Sequence, residues 1–194
     1  MFAELRTIQV ALPAQCRLGL IADTHIYDGG RRTLPAQVLD CFARSEVDWI
    51  VHCGDIACQR VIDQLAAVAP TLAVRGNNDS GDFGRDLPHL LELTTNERVI
   101  RVVHGDGGRS ARAIAAEHAS GAAAVIYGHS HIPRVEMLGE CLLLNPGSPN
   151  DRRWHPHFGV GFLEITSERL RPEIVLFETP ENLDRAAATW RSNR

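Results

Sequence analysis

Val125-Ile126-Tyr127-Gly128-His129-Ser130-His131 joins a short apolar run to a glycine and to two histidines separated by one residue. Four other runs stop in the same manner. Leu20-Ile21-Ala22 passes into Asp23-Thr24-His25, and Ile50-Val51 into His52-Cys53-Gly54-Asp55. Leu72-Ala73-Val74 passes into Arg75-Gly76-Asn77-Asn78-Asp79, and Val102-Val103 into His104-Gly105-Asp106. Apolar runs this short, separated by helix-like stretches, read as the buried strands of an α/β protein. Open α/β sheets bind ligands outside the carboxyl ends of their strands, where loops from several strands converge. The five polar clusters are therefore expected to line one crevice.

Outward from these points the chain reads as alternating elements. Strands are expected at Leu18–Ala22, Trp49–Val51, Thr71–Val74, Val99–Val103 and Ala123–Tyr127. Helical patterns at Pro35–Arg44, Cys58–Val68 and Arg109–His118 fill three of the four gaps. The remaining gap holds a glycine-rich stretch, Gly76–Gly84, a strand over His89–Thr94 and a turn at Asn96-Glu97. After residue 131 strands succeed one another alone, at Arg134–Leu138, Cys141–Leu144, Gly159–Ile165 and Arg171–Phe177. Glu181–Arg191 reads as one more helix, with Pro180 near its start. With no linker, repeat or low-complexity segment, 1–194 is expected to be a single mixed α/β domain. Residues 1–16, whose short apolar stretch Ile8–Pro13 is interrupted by Gln9, read as an N-terminal extension, and 181–194 as a helical tail.

The composition fits that picture. A chain of 194 residues and 21.4 kDa folds to a surface of about 9,000 Å², against about 31,000 Å² unfolded, and so builds a core without disulfides. At 44% hydrophobic and 23% charged it is not a disordered chain. Twenty basic residues, all arginine, against 24 acidic give a net charge of −4 and a pI of about 6.1. That balance speaks against a general nucleic-acid or membrane-surface binder. Five cysteines, at 16, 41, 53, 58 and 141, form no CxxC pair and are odd in number, which suits reduced core thiols in the cytoplasm. The N-terminal segment lacks the basic and long apolar regions of a signal peptide, and no apolar run is long enough to span a membrane. The unusual count is nine histidines.

Asp, Asn and His offer hard oxygen and borderline nitrogen donors without thiolate, a set suited to Mn, Fe, Zn or Ni rather than to a cysteine-type structural zinc site. Two residues separated by one point the same way on an extended backbone, so Asp23/His25 and His129/His131 are each expected to reach one site. Taken singly the fragments are ordinary: Asp-x-His caps a helix, Gly54-Asp55 makes a turn and His104 fills a core. Their joint appearance, each at a strand end, carries the reading of a shared metal site.

The series Asp-x-His, Gly-Asp, Gly-Asn-x-Asp, His-Gly and Gly-His-x-His resembles that of the calcineurin-like metallophosphoesterases. Val74-Arg75-Gly76-Asn77-Asn78-Asp79 and Asn145-Pro146-Gly147-Ser148 resemble the small branch that includes prokaryotic phosphodiesterases and the smallest retromer subunit. The resemblance spans about residues 17–178. It implies a four-layer αββα sandwich with two mixed β-sheets, and two divalent metal ions, manganese first and Fe, Zn or Ni as alternatives. Asp55 would bridge the ions; Asp23, His25 and His131 would hold one, and Asn77, His104 and His129 the other. The implied chemistry is hydrolysis of a small phosphoester, a phosphodiester above all, by in-line attack of a hydroxide between the metals.

Asn78 departs from larger relatives, which often carry a histidine there. Asparagine donates a hydrogen bond but is no acid near neutrality, so good leaving groups are expected to be favoured. Asp55, Asn78 and Asp79 form the expected catalytic group, with Asp79 orienting the Asn77 loop. Arg152 or Arg153, with Asn78, is expected to contact the substrate phosphate, against the alternative of a solvated basic turn. Arg75 is read as a brace for its loop, and His52 as a support for the ligands or a structural histidine. Asp106 is left open between a substrate and an outer role; Trp154, His155 and His157 line the mouth or belong to a strand-entry loop. Two other readings stand beside the enzyme: a scaffold resembling the retromer subunit, and a nuclease of the same superfamily. The seven chelating side chains favour the enzyme. Homodimerisation rests on base rate alone.

Overall fold

A computed structural model describes residues 6–183. In chain order its elements are β1 (Thr7–Ala11), β2 (Cys16–Ile21), α1 (Ala36–Arg44), β3 (Trp49–His52), α2 (Gln59–Ala66), β4 (Thr71–Ala73) and α3 (Gly81–Asp86). They continue with β5 (Leu90–Thr95), β6 (Arg98–Val103), α4 (Ala111–Glu117), β7 (Ala124–Tyr127), β8 (Arg134–Leu138), β9 (Cys141–Asn145), β10 (Phe158–Ile165) and β11 (Leu170–Phe177).

The strands form two mixed sheets, one of five strands in the order β11-β10-β2-β3-β4 and one of six in the order β1-β5-β6-β7-β9-β8. β2, β3 and β4 run parallel, as do β6, β7 and β9, while β10 against β2 and β5 against β6 are antiparallel. Side chains alternate across each strand, and this sorts the apolar residues into three layers of contact. Leu18, Leu20 and Val51 from the first sheet meet Ile100, Ile126 and Leu144 from the second, filling the space between the sheets. Ile21 and Ile50 face the other way, onto Val38 and Phe42 of α1 and Val61 and Leu65 of α2. Val125 and Leu143 turn outward from the second sheet onto Ala111 and Ala115 of α4. The result is the expected αββα sandwich. Strands covered on both faces become continuous apolar runs, and β2 is accordingly buried at every position.

Two elements differ from the sequence reading. Residues 7–11, read as part of an extension, pair in parallel with β5, with Ile8 beside Leu91 and Val10 beside Leu93. Ile8 and Val10 pack on the inter-sheet core, and Gln9, the polar break in that apolar stretch, points away to donate to Glu92. Thr-Ile-Gln-Val-Ala is the alternation of a half-covered edge strand. The glycine-rich stretch also holds a helix, the short α3. The expected helix over 181–191 begins at 180–183, with Leu183 buried, and its remainder lies outside the described residues. Among the described residues no helix is long and apolar enough to cross a membrane.

Candidate metal centre

Each polar cluster lies just past the carboxyl end of a strand: β2 and β3 deliver Asp23, His25 and Asp55, β4 delivers Asn77, and β6 and β7 of the other sheet deliver His104, His129 and His131. Both sheets thus contribute to one end of the sandwich. The side chains gather as two groups. Donor atoms of Asp23, His25 and His131 all lie within 4.8 Å of one another, as do those of Asp55, His104 and His129. Asn77 joins the second group, its Oδ1 3.2 Å from His104 Nε2.

Of the residue pairs separated by one, Asp23 and His25 reach the same group while His129 and His131 divide between the two, and neither pair does so on extended backbone as expected. Asp23 (φ 56°), His25 (47°), Asp55 (57°), His129 (64°) and His131 (57°) are all left-handed. That region is uncommon for residues with a Cβ, although Asp and His enter it more readily than most. The cause is tertiary. Asp23 N donates to Gly54 O at 3.0 Å and His25 N to Asp55 O at 3.0 Å, so the two loops bond one another and each ligand turns left-handed between them. Strained backbone held in place by its surroundings is characteristic of functional sites. Gly54 (φ 89°) and Gly76 complete the fit. A Cβ would meet His104 Nδ1 at 2.6 Å from Gly54, and Asp55 Oδ1 at 2.2 Å from Gly76.

The donor set fits divalent cations. Asp23 is fully buried, and its Oδ2 has no hydrogen-bond partner; burial pushes this carboxyl up to about 8. An orphaned buried carboxylate oxygen is costly unless a cation or proton meets it. His25 Nε2 and His131 Nε2 face one another at 3.2 Å, and burial lowers both imidazoles, His131 to about 4. Neutral imidazoles directed at one point are what a metal requires. His131 Nδ1 is taken by the Asp151 carbonyl and His104 Nδ1 lies 2.8 Å from the Cys53 carbonyl, which leaves each Nε2 turned to the site. Between the groups lies Asp55. Burial opposes its charge, but His104 and the Asn78 donors hold its carboxyl well below the usual range. His104 is pushed down by burial, yet its hydrogen bond to Asp55 and the nearby Asp23 charge raise it to about 9.

The remaining sequence candidates separate. Asp79, buried, does not join the ligand groups: its carboxylate accepts N–H from Asp55 (3.0 Å), Ile56 (2.8 Å), Ala57 (2.7 Å) and Gly76 (2.7 Å). It ties the Asp55 loop to the Asn77 loop. Asn78 turns onto Asp55, donating its main-chain N–H to Oδ1 at 2.8 Å and its amide to Oδ2 at 2.7 Å. Arg75 Nε donates to the Asp79 carbonyl at 3.2 Å, the expected brace. Arg152 bonds the Pro156 carbonyl and lies over the Phe158 ring, 5.1 Å from its centroid, in its own loop. Arg153 adds its charge at the centre, where it disfavours protonation of His25, His129 and His131, and Arg32 acts likewise on His25. Asp106 is exposed and acts on His129 through its charge. Trp154 is 99% exposed, and His155 and His157 are bonded to each other within the same loop.

His52 is buried, and its Nε2 lies 3.1 Å from the hydroxyl of Thr24, the residue between two ligands. Two further supports lie outside the sequence reading. Ser148 donates to the Asp23 carbonyl at 2.8 Å, and Asn145 donates to the Gly128 carbonyl at 2.8 Å while accepting from Gly147 N–H at 2.9 Å. The Asn145-Pro146-Gly147-Ser148 motif is the signal for them: it holds the first and last ligand loops together.

A two-sheet αββα sandwich with Asp, Asn and His gathered at the strand ends defines an α/β protein with a candidate metal centre. The chain belongs to the calcineurin-like phosphoesterase superfamily, whose domain matches over residues 16–168. It is 39% identical over 137 residues to a probable metallophosphoesterase of Methanocaldococcus jannaschii, covering 68% of this chain and 67% of that one. It is 31% identical over 140 residues to the phosphodiesterase YfcE of Escherichia coli, covering 60% of this chain and 73% of the other. Among solved structures, Vps29 of Entamoeba histolytica shares the fold with a TM-score of 0.66 at 20% identity, over 83% of this chain and 99% of that one.

Proposed function

We propose that this chain hydrolyses small phosphodiesters with two divalent cations, manganese foremost. The observation that carries this reading is the place of Asp55. Its Oδ2 lies 3.6 Å from His25 Nε2 in one ligand group and 3.3 Å from His104 Nε2 in the other. A carboxylate with two oxygens and one negative charge suits a position between two cations. When bound, such a pair supplies Lewis acidity toward a phosphoryl oxygen and an activated water for in-line displacement.

The chain's own residues set the rest. Asn78 fixes Asp55 from both oxygens and cannot protonate a leaving group. Esters whose leaving groups need no proton are therefore the better substrates, aryl phosphodiesters ahead of alkyl ones. Arg153 supplies positive charge beside the centre, suited to a phosphoryl oxygen that does not react. Arg152, engaged with Pro156 and Phe158, stiffens the loop that carries it. The names of the Methanocaldococcus and Escherichia relatives support hydrolysis, and the full set of chelating side chains favours it over a scaffold role. Five free, buried cysteines suit a reducing compartment, the cytoplasm.

The test is metal analysis of protein purified without chelator, joined to assays on bis(p-nitrophenyl) phosphate and p-nitrophenyl phosphate with Mn, Ni or Zn. Bound metal, with diester turnover lost in Asp55→Ala, is the expected outcome. Wild type with neither metal nor turnover, or Asp55→Ala as active as wild type, refutes the reading.

A further inference from the structure

Seven large hydrophobic side chains stand exposed among the described residues, and four of them, Ile132, Val135, Met137 and Leu138, fall within seven consecutive positions. Three lie on β8, and β8 is an edge of the six-stranded sheet. Val135 and Met137 border an open groove of about 620 Å³ whose wall includes Leu142, Leu170 and Pro172. Two of the other sheet edges are protected in usual ways, and the third shows no large exposed apolar side chain. β4 has only three residues, β11 carries Pro172, and β1 exposes Thr7, Gln9 and Ala11. Among the described residues β8 is the edge strand with the most exposed large apolar side chains, three against the single Leu176 of β11.

We propose that β8 pairs in antiparallel fashion with β8 of a second copy of this chain, about a two-fold axis at Val135. Arg134-Val135-Glu136 is self-complementary in this register. Val135 meets Val135 of the second copy, and Arg134 meets Glu136 of the second copy, twice by symmetry. Ile132 then lies opposite Leu138 of the second copy. Opposite charges and paired apolar side chains directly across two strands stabilise them, and like charges do the reverse. A two-fold at Glu136 sets two carboxylates face to face, and one at Met137 sets Glu136 against Leu138. The sequence therefore selects one register among its neighbours. Within its own chain Glu136 already meets Arg112 of α4 and, at 3.5 Å, Arg134, so its charge is balanced before pairing and is shared between the copies afterwards. The interface is isologous and closes at two copies, joining two six-stranded sheets edge to edge.

The test uses the full chain. Sedimentation across about 1–100 µM should show the mass rising from 21.4 kDa toward twice that value, and Arg134→Glu should weaken the association tenfold or more. Val135→Cys should form a disulfide between copies under mild oxidation, because directly opposed residues have the Cβ separation that a disulfide can span. Met137→Cys, which the register sets against Pro133 of the second copy, should not. The five native cysteines are all buried and give little background. A chain that stays at the monomer mass throughout overturns the proposal. So does a dimer in which Val135→Cys fails to cross-link, or in which Met137→Cys cross-links equally well.

Discussion

The Asp79 carboxylate accepts four N–H groups from two loops and touches none of the metal-directed donors. Its effect on the centre runs through Asp55 and Asn77, whose loops it fixes. An amide in its place has one accepting oxygen and two donors that would confront other donors. Asp79→Asn should therefore lower metal affinity by about 10–100-fold, the usual effect of losing a partner behind the ligands, as read by metal titration of activity and equilibrium dialysis. Unchanged affinity would show that the loops hold without it. Asn78 makes the opposite kind of prediction. A histidine there restores a group able to deliver a proton, and positioned acids contribute about 10²–10⁴-fold. Asn78→His should raise the ratio of alkyl to aryl diester kcat/KM by roughly tenfold or more, part of the gain being lost with the clamp on Asp55. A ratio that stays constant would place the limit on turnover elsewhere than in the leaving group.

Helix α1 illustrates how the layers divide labour. Phe42 is fully buried and meets Phe162 of β10 edge-on, with ring centroids 5.7 Å apart at 83°. Removing such a ring costs about 3–5 kcal/mol, so Phe42→Ala should lose about that much in urea unfolding. Activity per folded molecule should be kept, because α1 lies across the sheet from the strand ends; a variant equally stable but inactive would contradict this layering. The strands and the five ligand clusters are legible in the sequence because burial on both faces writes itself as uninterrupted apolar runs, and the polar residues at the end of each run form the site. The features that are not legible arise from contacts between distant segments. The left-handed turns at Asp23, His25 and Asp55 come from bonds between residues 23–26 and 54–56, which no local pattern announces. Gln9 hides β1, since one polar residue in a short apolar stretch looks like an interruption until its partner Glu92 is known. Arg152 and Arg153 are adjacent and chemically identical, so only the turn at Arg153 (φ 48°) separates a loop brace from a charge beside the centre.

At the scale of the whole molecule, the centre gathers side chains from both sheets, so a cation bound there would tie the two halves of the sandwich together. A ligand at 100 times its Kd stabilises the native state by about 2.7 kcal/mol, which for a chain of this size raises Tm by roughly 5–10 °C. The gain should depend on pH, and two groups set its sign. In the metal-free protein the buried Asp23 carboxyl is raised to about 8 and His104 to about 9. Unfolded, both groups lose their protons at ordinary, lower values. Each therefore contributes stability that is present below its unfolded value and is lost as pH rises through its folded value. His25, His52 and His131 are lowered by burial and are neutral in both states above pH 7, so they do not oppose this trend. Between pH 7 and 9 the chelated protein should thus lose stability. The metal-loaded protein, whose ligands bind the cation in place of those protons, should not. Thermal melts with chelator and with Mn across that window should show a Tm difference that widens as pH rises. A difference independent of pH would mean that Asp23 and His104 carry no proton in the metal-free fold, and that the orphaned oxygen of Asp23 is met in some other way.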